Sequence, residues 1–176
     1  DFIQEVENIT SGSGNDTLVG DDNNNTFFSN DGSDTLSGGL GNDYLDGGDN
    51  TTGNGDTVDY SSATATGVTV NLSTENVQNI SETEGSDTLK NIENITGSNF
   101  DDTLEGNELD NTLDGGLGND TLKGNDGDDH FEGGEGIDTV DYSDVTEKLD
   151  IDMDALPTDE IAPGQGIDTY NSIEGI

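Results

Sequence analysis

The chain has no cysteine, tryptophan or arginine, one histidine, one methionine and two prolines in 176 residues. Without cysteine there is no disulfide framework, and nothing follows about redox compartment. Only three lysines (Lys90, Lys123 and Lys148) face 41 acids, for a formal charge of −38. That balance argues against nucleic acid or anionic membrane as a partner, since both carry the same sign. No apolar run approaches the roughly 20 residues of a membrane helix, and no signal peptide is visible. Hydrophobic residues are scarce, at 26%. Self-repulsion and a thin core both predict a chain largely unfolded alone. No long 3.6-period apolar stripe supports a helix. Catalysis finds no constellation either. The lone His130 sits in a repeat slot and reads as a surface residue, and carboxylate pairs are too common to be a signal. The chain reads as non-enzymatic.

What is present is a repeat. Gly115 to Lys123 reads G-G-x-G-x-D-x-U-x, with U apolar, and the motif stands complete again at Gly38 to Asp46 and Gly133 to Asp141. In nine-residue steps, position six carries Asp16, Asn25, Asp34 and Asp43, then Asp102, Asn111, Asp120, Asp129 and Asp138. Asp56, Asp87 and Asp168 hold the same position in degenerate units. Strand alternation sends position eight to one face and its neighbours to the other. Leu18, Phe27, Leu36, Leu45, Leu104, Leu113, Leu122, Phe131 and Val140 are therefore the predicted core. Threonines at position seven, Thr17 through Thr139, face outward. Glycines at positions one, two and four are expected to turn the backbone through φ > 0 and aim carbonyls inward. Among them are Gly12, Gly14, Gly32, Gly39, Gly41, Gly116, Gly118, Gly127, Gly134 and Gly136.

A longer period is superimposed. Asp1 to Ile9, Asp87 to Ile95 and Asp168 to Ile176 share an acid followed by apolar residues at the third, sixth and ninth places. Two super-repeats follow, 1–86 and 87–176, the second including a closing nonapeptide, in one continuous solenoid cut from a longer array. Each carries a D-Y-S motif (Asp59-Tyr60-Ser61, Asp141-Tyr142-Ser143) and then an alternating strand. Its apolar residues are Val68, Val70 and Leu72 in one copy and Leu149, Ile151 and Met153 in the other. A polar loop comes next, 73–84 or 154–165. Asp150, Asp152 and Asp154 read as a surface acidic row. Glu93, Glu7 and Glu174 recur in an E-N/G-I step, as ion ligands or as hydrogen-bond partners within the coil. Asn23, Leu109 and Phe100 stand where a fourth-position glycine is expected, and the thirteen residues from Asp43 to Asp56 require a bulge at 49–54.

These motifs resemble the RTX family, the hemolysin-type calcium-binding repeats, whose nonapeptide builds a parallel β-helix. The resemblance covers nearly the whole chain. It implies an all-β, right-handed parallel β-roll (β-solenoid) with inserted strands and loops, two nonapeptides per coil. Calcium takes six to eight oxygens from carboxylates and carbonyls. By the resemblance, ions sit between turns eighteen residues apart, pairing Asp16 with Asp34, Asn25 with Asp43, Asp102 with Asp120, Asn111 with Asp129 and Asp120 with Asp138. The asparagine sites should be weaker. The partners implied are several calcium ions, with any glycan or host surface engaged through other domains, no membrane insertion and a monomeric fragment. Extracellular location fits, since calcium is abundant there. The expected function is a structural module of a secreted or surface protein that folds on calcium after type I secretion. One rival is a carbohydrate-binding accessory module, for which Tyr44, Phe28 and Tyr170 are too scattered in sequence. The other is ice binding, which the irregular residues at positions three and five disfavour.

Overall fold

Triplets with one apolar residue, bounded by glycine turns, leave room only for short strands. In the computed structural model, which describes residues 7–49, 54–146, 148–149, 151, 159–160 and 166–176, no helix occurs among the described residues. In chain order the strands are β1 (Asn8–Thr10), β2 (Thr17–Val19), β3 (Thr26–Phe28), β4 (Thr35–Ser37), β5 (Tyr44–Asp46) and β6 (Thr57–Asp59). Then come β7 (Thr69–Asn71), β8 (Gln78–Ser81), β9 (Gly85–Lys90), β10 (Asn94–Thr96), β11 (Thr103–Glu105) and β12 (Thr112–Leu117). The last are β13 (Thr121–Lys123), β14 (His130–Glu135), β15 (Thr139–Val140), β16 (Asp159–Glu160) and β17 (Ile167–Asn171).

From β1 to β7 and again from β9 to β15, successive strands go to alternate sides. One side is a sheet in the order β2-β4-β6-β10-β12-β14-β17, all parallel, with β16 antiparallel at its end. The other side holds β1-β3-β5-β9 and, as a separate sheet, β7-β11-β13-β15. Leu18 pairs with Leu36, Phe27 with Leu45, Leu104 with Leu122 and Leu113 with Phe131. Each partner is two nonapeptides away, so one coil is two units. The fold is an all-β parallel β-roll.

The position-eight residues are all buried and merge into one apolar cluster, with Phe27, Leu36, Leu45, Leu104, Leu113, Leu122, Phe131 and Val140 at 0% exposure. The charged chain thus has a continuous core one side chain thick from each sheet.

The insertion belongs to that core. Tyr60, Ala63, Val68, Val70 and Leu72 are buried with it, because alternation in β7 turns its valine inward as β11 turns Leu104. Residues 73–84 are not simply a loop. They contain β8, which returns antiparallel along β9 with a register shift between Asn79 and Ser81. The second side therefore splits, with β9 stacked on β5 and β7 stacked under β11. Strands β12 and β14 also extend to six residues by running into the next turn through Gly116 and Gly134. The bulge at 49–54 lies mostly outside the described residues. So do most of the strand from Leu149 to Met153, the loop 154–165 apart from β16, and Asp150, Asp152 and Asp154.

Candidate metal centres

The position-six residues form columns along the roll, each coil holding the next by the same bond. On the first side, the main-chain N–H of Asp16 donates to Asp34 Oδ1 (2.7 Å), that of Asp34 to Asp56 Oδ1 (2.7 Å) and that of Asp56 to Glu93 Oε2 (2.9 Å). The column continues with Asn111 N–H to Asp129 Oδ1 (2.9 Å) and Asp129 N–H to Asp168 Oδ1 (3.0 Å). On the second side, Asn25 N–H donates to Asp43 Oδ1 (2.8 Å) and Asp43 N–H to Asp87 Oδ1 (2.9 Å). Above the split, Val68 N–H donates to Asp102 Oδ1, Asp102 N–H to Asp120 Oδ1, Asp120 N–H to Asp138 Oδ1 and Asp138 N–H to Glu174 Oε2. Glu93 and Glu174 thus stand in the column where the nonapeptide register lapses. Their longer side chains reach across the shifted turn.

The second oxygen of these carboxylates is the informative one. Oδ2 of Asp34, Asp43, Asp120, Asp129 and Asp138 is buried without a hydrogen-bond partner. A buried carboxylate oxygen left unpaired is costly, and three lysines cannot balance a row of them. Lys123 is already paired with Asp144 (2.7 Å) and Glu105 (3.2 Å), and Lys90 with Glu75 (3.7 Å). Carbonyls converge on the same places. A Cβ added at Gly115 would overlap Asp120 Oδ2 and lie 2.7 Å from Gly133 O, and one at Gly97 would lie 2.5 Å from Asp102 Oδ2 and 2.6 Å from Gly115 O. Carboxylate and carbonyl oxygens meeting in a buried spot suit a hard divalent cation such as calcium. No three acidic side chains share one metal-binding position among the described residues, so each such centre has at most two carboxylates and draws its remaining oxygens from the backbone.

Burial raises six carboxyls of the columns in the calcium-free chain. It pushes Asp43 and Asp168 up to about 6 and Asp87, Asp120 and Asp129 to about 7, with Asp102 also raised. Backbone N–H donors to Asp43, Asp87, Asp120 and Asp129 act the other way but do not win. A folded value above the unfolded one, about 3.9, means stability present at low pH and lost as pH rises through 6 to 7. Without calcium, the β signal in circular dichroism should therefore grow as pH falls from 8 to 5. Calcium affinity should move oppositely, because the ion must displace those protons. A calcium-free chain equally unfolded at pH 5 and pH 8 would contradict the burial of these groups.

Asp87 and Asp168 differ from the rest. Asp87 Oδ2 accepts the buried Tyr60 hydroxyl (2.8 Å), and Asp168 Oδ2 accepts that of Tyr142 (2.5 Å). Burial raises both phenols, so they stay protonated and donate. Each D-Y-S tyrosine thereby closes the column where the insertion begins. Asp16 is half-exposed and accepts only a long bond from Gly12 N–H (3.2 Å). Asn25 and Asn111 are buried in register, their Oδ1 held by the N–H groups of Asp21 and Asn107.

The glycines divide by role. Positive φ falls at position two (Gly39, Gly116, Gly134) and position four (Gly32, Gly41, Gly118, Gly127, Gly136). Asn30 and Asn125 replace glycine at position two with φ of 66° and 75°, which asparagine tolerates better than most residues. Position one does not need φ > 0. Its glycines are required because the position-six side chain fills the space of a Cβ, as at Gly20, Gly38, Gly106, Gly115 and Gly124. Gly12 and Gly14 show neither constraint, with no positive φ and nothing within 4 Å of an added Cβ. From sequence the position-one glycines read as backbone turns, which the structure corrects to room for the position-six side chain, and the two tyrosines do not read as site residues although they recur in phase.

A family model described as the RTX calcium-binding nonapeptide repeat (4 copies) matches the chain over residues 6–36, 19–51 and 105–140. No curated protein matches the chain.

Proposed function

We propose, of a chain that carries RTX calcium-binding nonapeptide repeats and forms a calcium-binding β-roll, that it works as a calcium-triggered structural module of a secreted or cell-surface protein. The observation that carries this is the column of buried, unpartnered carboxylate oxygens in a chain of formal charge −38. Each ion bound only by the folded state adds about 2.7 kcal/mol when present at 100 times its dissociation constant. Several such ions match the roughly 5–15 kcal/mol that holds an ordinary domain together. Calcium rather than the core then decides whether the roll exists. Low calcium keeps the chain extended for passage through a type I secretion channel, and external calcium rigidifies it afterwards. No catalytic role is needed. No helix among the described residues is long and apolar enough to cross a membrane.

The test is a calcium titration of the chelator-treated chain followed by far-UV circular dichroism, with magnesium as control. A calcium-specific gain of β signal with a midpoint at about 10⁻⁴ to 10⁻³ M is expected. A chain already folded and indifferent to calcium would overturn the reading.

A second reading, a carbohydrate-binding accessory role, gains one observation. Phe28 and Tyr44, distant in sequence, lie side by side on β3 and β5 with ring centroids 5.6 Å apart. Phe28 is exposed and Tyr44 half-exposed. Tyr170 is elsewhere, stacked on Phe131 in the core. A glycan array without hits would set this role aside.

A further inference from the structure

We propose that Glu84 is a calcium ligand, completing with Asp43 a two-carboxylate site at the split between β5, β9 and the strand insertion. The proposal rests on the calcium-binding reading above. Glu84 occupies position three of its unit, a place that is exposed in most other units: Leu109 is 54% and Leu117 42% exposed, Glu135 is exposed as well, and Leu40 is half-buried. Glu84 is 2% exposed. The tight turn from β8 into β9 turns it inward, with its N–H donating to Ser81 Oγ (3.0 Å). Its Oε1 is buried and has no hydrogen-bond partner. Asp43 Oδ2, 3% exposed as a residue, has none either, while its Oδ1 is held by Asn25 N–H. Glu84 stands on the coil next to Asp43: its neighbour Gly85 packs so closely on Gly41 that an added Cβ would overlap Gly41 O, and Ser86 N–H donates to Asn42 Oδ1 (2.8 Å). The negative charge of Glu84 is therefore felt by both Asp43 and the Tyr60 phenol.

The third acid there, Asp87, is not open to an ion in the same way. Its Oδ1 accepts Asp43 N–H and its Oδ2 accepts Tyr60. Two buried carboxylate oxygens, Asp43 Oδ2 and Glu84 Oε1, therefore stand on adjacent coils without a hydrogen-bond donor. Lys90 pairs outward with Glu75. An uncompensated pair of buried carboxylates is strongly unfavourable, whereas a dication taking one oxygen from each removes the penalty. Backbone carbonyls supply the remaining ligands that calcium takes. The unit Glu82 to Lys90 has Glu82 where complete units have the position-one glycine. Glu84 supplies its oxygen from the insertion side instead, so the ion would pin the β8 hairpin to the roll.

The experiment compares wild type, Glu84→Gln and Glu82→Gln in the full chain. Glu82 is exposed, so its variant controls for the loss of one charge. Calcium stoichiometry is counted by equilibrium dialysis, and terbium emission sensitised by tyrosine reports on the enclosure beside Tyr60. Glu84→Gln should bind one ion fewer, or bind that ion at least tenfold more weakly, and lose part of the tyrosine-sensitised emission. Its calcium-free form should unfold at higher urea than wild type, because a buried unpaired charge has gone. Glu82→Gln should match wild type in stoichiometry and emission. If Glu84→Gln also matches wild type in both, Glu84 is a neutral buried acid and the inference fails while calcium binding stands. If wild type itself binds no calcium, the underlying reading fails instead. Should Glu84→Gln be poorly folded at every calcium concentration, Glu84→Asp gives the second comparison. Its carboxylate is one methylene shorter, so unchanged affinity and emission there would overturn the proposal.

Discussion

Gly115→Ala should lose about one bound calcium and shift the calcium midpoint of folding several-fold upward, although glycine contributes no side-chain ligand. An added Cβ would overlap Asp120 Oδ2 and come within 2.7 Å of Gly133 O. Neither can retreat freely. Asp120 Oδ1 is held by Asp102 N–H (2.8 Å), and Gly133 lies in β14, paired with β12 on one side and β17 on the other. Overpacking in such a place costs roughly 1–3 kcal/mol. Losing one ion at 100 times its dissociation constant removes about 2.7 kcal/mol more. The sum is a large part of an ordinary domain's stability. Because Asp120 links Asp102 below to Asp138 above, the damage should reach two further coils and blunt the cooperativity of the titration. Gly12→Ala is the control, since nothing lies within 4 Å of its Cβ position. Calorimetric stoichiometry and circular dichroism on both variants check this. Equal behaviour of the two would mean the position-one glycines are not there to make room for the ion.

The roll was legible in the sequence because a coil repeats in one dimension. Once Leu104, Leu113 and Leu122 share a nine-residue phase, strand alternation fixes which residue turns inward, and a two-unit coil fixes the neighbours eighteen residues away. The two-unit coil, and with it the pairs Asp16 with Asp34 and Asp102 with Asp120, came from the family resemblance rather than from the period, and the structure places those residues on adjacent coils. What was not legible depends on packing across the repeat. Phe28 and Tyr44 look scattered in the sequence, yet parallel pairing of Thr26 with Tyr44 sets Phe28 diagonally beside it. The hydrogen bond from Tyr60 to Asp87 spans 27 residues and crosses the point where β9 takes the place on β5. No local period encodes that exchange. Glu84 looked like one more polar loop residue, because only the antiparallel return of β8 buries it.

Phe131→Ala should be the most damaging single truncation in the core. Phe131 is fully buried, flanked in the sheet by Leu113 and Tyr170. Its ring stacks on Tyr170 at 5.6 Å and meets Tyr142 edge-on at 6.5 Å. Truncating a buried phenylalanine costs about 3–5 kcal/mol, more where the surroundings cannot collapse. Collapse is restricted here, because hydrogen-bonded coils fix the strand spacing on both sides. The loss also reaches the metal column. Tyr142 is aimed at Asp168 partly by its contact with this ring, and Asp168 in turn accepts Asp129 N–H. A cavity beside Tyr142 frees the hydroxyl that closes the column and loosens Asp129 below it. In saturating calcium, the urea midpoint should fall by the equivalent of at least 3 kcal/mol, and the near-ultraviolet tyrosine dichroism should weaken. Phe131→Leu keeps most of the volume and should lose much less. If Phe131→Ala falls by under 1 kcal/mol, bound calcium rather than side-chain packing holds this end of the roll, and the core is only a spacer between the two columns of carboxylates.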